Sequence, residues 1–166
     1  MTYDPIETAI RAKLEDIVRD WNAGQRFDWT NKVTARICQL SKEPEWKCGA
    51  CARGQPTGAE YKEWLYDICW YVEDEECLTH LPLVAECERG PDGSCDSDFQ
   101  KLLQARADHR LWIFQVATVE AAEDMFKGCR SNVKRFRSSQ PGDRYLFAAL
   151  VLAETASLRF DLYVHS

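Results

Sequence analysis

Apolar residues recur at Ile6, Ile10, Leu14, Ile17 and Trp21, in steps of four and three that place them on one face of an α-helix. Asp4, Pro5 and Glu7 stand where a cap, a first helical residue and a capping-box partner belong, and Gly24 is a stop signal. A second helix is predicted from Asp28, with Trp29, Val33, Ile37 and Leu40 on one side and Pro44 beyond its end. Residues 47–58 hold Gly49, Gly54, Pro56 and Gly58 and read as loop. Residues 64–72 are rich in aromatic and β-forming side chains and read as a strand, broken by the acidic run 73–76. Residues 81–88 read as a second strand, with Pro82 near its start, and residues 90–93 as a turn. Then come a helix capped by Asp98 and carrying Phe99, Leu102, Leu103, Arg106 and Ala107, and an apolar central strand over 111–117. A helix over 119–137, a turn at Gly142-Asp143 and strands over 145–153 and 158–164 complete the pattern. The order α-α-β-β-α-β-α-β-β predicts an α/β domain whose mixed sheet carries helices on its faces.

The 166 residues suit one domain with a single core. Hydrophobic residues at 45% and charged residues at 29% fit a soluble globular chain. The longest apolar stretch, 146–153, is too short to span a bilayer, and the first ten residues lack a basic region followed by an apolar core. A cytoplasmic protein is the expectation. With 21 basic and 27 acidic residues the net charge is −6, which argues against nonspecific coating of nucleic acid and leaves a local basic face open.

Candidate chemistry centres on three acids. Strand periodicity puts Val84, Glu86 and Glu88 on one face and Leu83, Ala85 and Cys87 on the other, with the two carboxylates about 7 Å apart. Asp67 is expected mid-strand among Trp64, Leu65, Ile68 and Trp70. Acids in such apolar segments are rarely buried unless paired or bound to a metal, and three on neighbouring strands suit a hard divalent cation. The plain alternative is that they face solvent on the open side of an antiparallel sheet.

An Asp in one strand, an apolar strand ending Glu86-Cys87-Glu88, and a following helix with Lys101 together resemble the PD-(D/E)xK (restriction-endonuclease-like) nuclease superfamily, in a Glu-x-Glu variant. The resemblance covers roughly residues 28–117. It implies an αβββαβ core, with residues 1–27 as a helical addition and 118–166 as a C-terminal helix and strands. It further implies that Asp67, Glu86 and the backbone carbonyl of Cys87 ligate Mg²⁺ or Mn²⁺, and that phosphodiester bonds, chiefly of DNA, are hydrolysed. Glu88 stands where the family usually has Lys; Lys101 on the following helix would take over that role, with Glu88 orienting or deprotonating water. Lys101 as a solvated helix residue, paired to Glu88, is the alternative. The Glu88 replacement also leaves open a catalytically silent module of the same fold. Enzymes of this fold often dimerise, so a homodimer is compatible with the resemblance.

Two further features remain. Lys127, Arg130, Lys134, Arg135 and Arg137 form a cationic stripe suited to a nucleic-acid backbone, or else simply a solvated face complementing the helix dipole. Among eight cysteines, Cys48 and Cys51 form the only CxxC, read either as two free thiols or as a zinc or redox pair. Cys69, Cys87 and Cys129 read as small core residues, and His80, His109 and His165 stand without a nearby ligand partner in sequence.

Overall fold

Asp4 accepts from the Glu7 backbone while the Glu7 side chain accepts from the Asp4 backbone, so the capping box forms and starts α1 (Pro5–Asn22). The computed structural model describes residues 2–25, 28–88 and 97–166, and the turn expected over 90–93 lies outside them. Helix α2 (Trp29–Leu40) follows, and both helices bury the apolar faces read from their periodicity. Then come β1 (Gly49–Ala52), β2 (Tyr61–Lys62), β3 (Ile68–Asp74), β4 (Cys77–Cys87), α3 (Ser97–Gln104), β5 (His109–Val116), α4 (Val119–Arg135), β6 (Arg144–Val151) and β7 (Ser157–Val164).

The seven strands make one mixed sheet in the order β2-β1-β3-β4-β5-β6-β7. Strands β1, β3 and β4 are antiparallel neighbours; β4, β5 and β6 run parallel; β7 closes the far edge antiparallel to β6. Alternation along the strands builds two cores. On one face Leu83, Ala85, Leu111, Ile113 and Leu146 pack under α1 and α2, where Ile10, Leu14, Val33 and Ile37 are buried. On the other, Val84, Trp112, Phe114 and Phe147 pack under α3 and α4, against Phe99, Leu102, Phe126 and Val133. The molecule is therefore an α/β protein with helices on both faces of a mixed sheet.

The structure corrects five boundaries. The segment expected as loop over 47–58 contains β1, whose Ala50 and Ala52 enter one core and Cys51 the other. The Tyr71 ring of the paired strand occupies the space that a Cβ on Gly49 would take. The strand expected over 64–72 starts only at Ile68, leaving Trp64 and Leu65 exposed and Asp67 just before the strand. The acidic run 73–76 does not separate β3 from β4 by a long break. It supplies strand to Asp74 and then a two-residue turn at Glu75-Glu76, with φ of 48° and 65°. Both later helices are shorter than expected: α3 stops at Gln104, and α4 at Arg135, where Phe136 turns extended.

Candidate functional site

Antiparallel register places Ile68 opposite Ala85, and one step further along brings Asp67 opposite Glu86. The Asp67 Oδ2 accepts from the Cys87 amide at 3.0 Å, and the Asp67 amide points at Glu86 Oε2 from 3.4 Å. The Asp67 carbonyl accepts from the Arg53 amide at 3.0 Å, and the Arg53 guanidinium lies 3.8 Å from Asp67 Oδ1. Asp67 is thus fixed by β4 on one side and by the segment after β1 on the other.

Glu86 is 1% exposed, on the face covered by α3. Burial pushes its carboxyl up to about 8; the charge of Asp67 and, less strongly, of Asp98 adds to the rise, while the Lys101 ammonium opposes it. Lys101 Nζ lies 3.3 Å from Glu86 Oε1 and 2.7 Å from Asp98 Oδ1. Among the described residues this ion pair is the contact of Glu86 Oε1. The hydrogen bond to Asp98 raises the Lys101 pKa further. Lys101 therefore pairs with Glu86 and Asp98.

Asp67, Cys87, Glu88 and Asp98 line a cleft of about 430 Å³ at this end of the sheet, together with Asn31 and Thr34 of α2 and with Arg53. Glu88 is half-buried just past the end of β4, its amide bonded to the Ile113 carbonyl at 2.8 Å. The structure therefore brings Asp67, Glu86, Cys87, Glu88 and Lys101 to one locality. Asp98, expected only as a helix cap, and Arg53 join them. The three-residue spacing of Asp98 and Lys101 on one helix was the sequence signal for the former; Arg53 lay in a stretch read as loop.

Asp67 and Glu86 bring two carboxylates, the oxygen donors that a hard divalent cation takes, opposite each other across neighbouring strands. Lys101 is paired to Glu86, and among the described residues no third acid or histidine is gathered as closely as in the Asp4, Glu7 and His109 group.

The cationic stripe is not at this site. Strand β5 runs parallel to β4 and ends beside Glu88, so α4 begins at the carboxylate end and carries its basic residues away from it. Its acidic first turn is the part nearest the carboxylates. Lys127 pairs with Asp124 at 3.1 Å, Arg130 with Asp161 at 3.0 Å, and Lys134 Nζ lies 6.0 Å from the Tyr163 ring centre. Arg135 is exposed in the last turn, and Arg137 lies beyond the helix, lining a different cleft.

Cys48 and Cys51 are buried on opposite faces of the sheet, Cys48 donating to the Trp46 carbonyl and Cys51 lying opposite Cys69. They cannot grip one metal together, which removes the chelating-pair reading. Cys69 and Cys129 are buried in the core; Cys87 is half-buried. His109 does not stand alone: with Asp4 and Glu7 it forms the one group of three acid or histidine ligands gathered closely among the described residues. Arg144 already occupies that group, its Nε and Nη2 lying 2.8 and 2.7 Å from the two Glu7 carboxylate oxygens. Burial would raise the Glu7 pKa, but bonds from His109 and Arg144 hold it down to about 2. It is a satisfied ion cluster, at the opposite end of the strands from Asp67. His80 pairs with Asp108 at 2.7 Å, and His165 Nδ1 lies 3.3 Å from the Tyr163 hydroxyl. Among the described residues no helix is long and apolar enough to cross a membrane. The chain matches no protein-family model, no curated protein and no solved structure at a significant level.

Proposed function

We propose that this protein is a divalent-cation-dependent phosphodiester hydrolase acting on nucleic acid, chiefly DNA, similar to the PD-(D/E)xK nucleases. The observation that carries the proposal is the Asp67–Glu86 pair, two carboxylates brought opposite each other with Glu86 buried. The succession α2, β1, β3, β4, α3, β5 supports it, since this is the αβββαβ order of that superfamily with β2 added at the edge. So does the approach of Lys101 from α3 to Glu86.

Asp67, Glu86 and the Cys87 carbonyl would hold Mg²⁺ or Mn²⁺, which when bound lowers the pKa of water and offsets charge on phosphoryl oxygens. Glu88, on the cleft wall, takes the proton of the attacking water as its oxygen bonds to phosphorus. The bond from phosphorus to the departing sugar oxygen breaks, and that oxygen takes a proton from a solvent water as it leaves. Lys101, a cation on the neighbouring helix, stabilises the extra negative charge. Its contact with Asp98 at 2.7 Å holds it beside Glu86.

A second reading is favoured by Glu88 standing at the usual Lys position: a silent module of the same fold that binds or assembles without cutting. One experiment separates the two. Plasmid, single-stranded DNA and RNA are incubated with the protein and Mg²⁺ or Mn²⁺, beside Asp67→Ala and Glu86→Ala. The nuclease reading predicts cleavage that falls by about a hundredfold or more in both variants. Equal cleavage by the variants would remove the site assignment. No cleavage of any substrate, with no cation bound, would favour the silent module.

A further inference from the structure

Helix α3 has the carboxylate cleft at its first turn; at its last turn lies a second, open cleft of about 910 Å³. Three arginines line it: Arg106, just after α3; Arg110, on β5; and Arg137, just after α4. We propose that this second cleft is a phosphate-binding site for a nucleotide, free or within a nucleic-acid strand. The proposal is independent of cleavage at Asp67 and Glu86.

Arg110 is the built part of the site. It is 5% exposed, with Nη2 donating to the Ala105 carbonyl at 2.7 Å and to Asp143 Oδ1 at 3.1 Å. Its Nε and Nη1 have no hydrogen-bond partner among the described residues. Its guanidinium carbon lies 5.0 Å from the Tyr145 ring centre, which orients the plane. Those two nitrogens are buried, so Arg110 lends its charge to the cleft while the exposed Arg106 and Arg137 offer the donors that a phosphate oxygen reaches.

The charge of the wall points the same way. Both acids lining the cleft are engaged, Asp143 by Arg110 and by the Gln140 amide at 2.8 Å, and Asp108 by His80. Arg106 and Arg137 are exposed, and neither forms an ion pair among the described residues. Three guanidiniums against two committed carboxylates leave a local positive field on a chain whose net charge is −6. Guanidinium forks match phosphate oxygens, and Ser138 and Gln140 add neutral donors. Half-buried Phe136 and Leu103 supply an apolar wall for the base or sugar that carries the phosphate.

The test is calorimetry and amide NMR in EDTA, so that no divalent cation contributes at the carboxylate cleft. The ligands are a nucleoside 5′-monophosphate, the same nucleoside without phosphate, and a short single-stranded DNA oligonucleotide. The two phosphate-bearing ligands are expected to bind and to shift amides near Ala105, Arg110 and Ser138, and the nucleoside to do neither. Arg106→Ala/Arg137→Ala, which alters exposed side chains only, is expected to weaken binding by about tenfold or more. Tighter binding of the oligonucleotide identifies a strand as the source of the phosphate; equal binding identifies the free nucleotide. The proposal is overturned by equal binding of the nucleoside, by unchanged affinity in the double variant, or by no binding of either phosphate-bearing ligand.

Discussion

Glu86 and Glu7 are both 1% exposed, yet their surroundings drive their carboxyls in opposite directions. Glu86 faces Asp67 and shares Lys101 with Asp98, so burial dominates and its pKa rises. Glu7 receives Arg144 on both oxygens, so hydrogen bonding dominates and its pKa falls. The consequence for stability follows from linkage. A carboxyl held at about 2 in the folded chain, against 4.5 ordinarily, stabilises the fold above the ordinary value. That contribution disappears as pH falls through the interval between them. Glu7→Gln should therefore cost about 2–3 kcal/mol at pH 7, with the difference from wild type closing between pH 4.5 and 2. Urea unfolding of both proteins at pH 7 and pH 3 checks this; a difference that does not change with pH contradicts it. The strand alternation was enough to put Glu86 on its face of β4. The Glu7–His109–Arg144 cluster was not legible, because its members are 102 and 137 residues from Glu7 and only the sheet register joins them.

At the scale of elements, long periodic segments were readable and short ones were not. Helices α1 and α2 and strands β5, β6 and β7 carry strong patterns, and each was foreseen within a few residues. Strand β1 has the sequence Gly-Ala-Cys-Ala, with no β-branched or aromatic residue to mark it. Its strand character comes from pairing with β3, a tertiary cause. The β3–β4 hairpin was hidden for another reason. Its turn residues, Glu75 and Glu76, both have positive φ, a conformation usually signalled by Asn-Gly. Replacing them by Glu75→Asn and Glu76→Gly should stabilise the fold by about 1 kcal/mol together, raising Tm by ~2–4 °C. A thermal scan decides it, and a lower Tm would mean that the glutamate side chains contribute more than the backbone strain removes. The shortened α4 matters for function, because it detaches Arg137 from the stripe and gives it to the cleft beside Arg110.

Across the whole molecule, parallel pairing of β4, β5 and β6 sorts chemistry to opposite ends of the sheet. Asp67, Glu86, Glu88 and Asp98 gather at the end where β4 and β5 finish. Arg106, Arg110 and Arg137 gather where β5 and β6 begin. Helix α4 runs between these ends, its acidic first turn and basic last turn also matching its dipole. The separation sets the basic stripe legible in the sequence apart from the carboxylates. At the carboxylates the positive charge comes instead from Lys101 and Arg53. A divalent-cation site built on Asp67 and Glu86 is tested most directly by calorimetric titration of Mn²⁺ into wild-type protein and Asp67→Ala at neutral pH. One cation bound per chain by wild type, and none by the variant under the same conditions, is the predicted result. Equal binding by both proteins, or no binding by wild type, would contradict it.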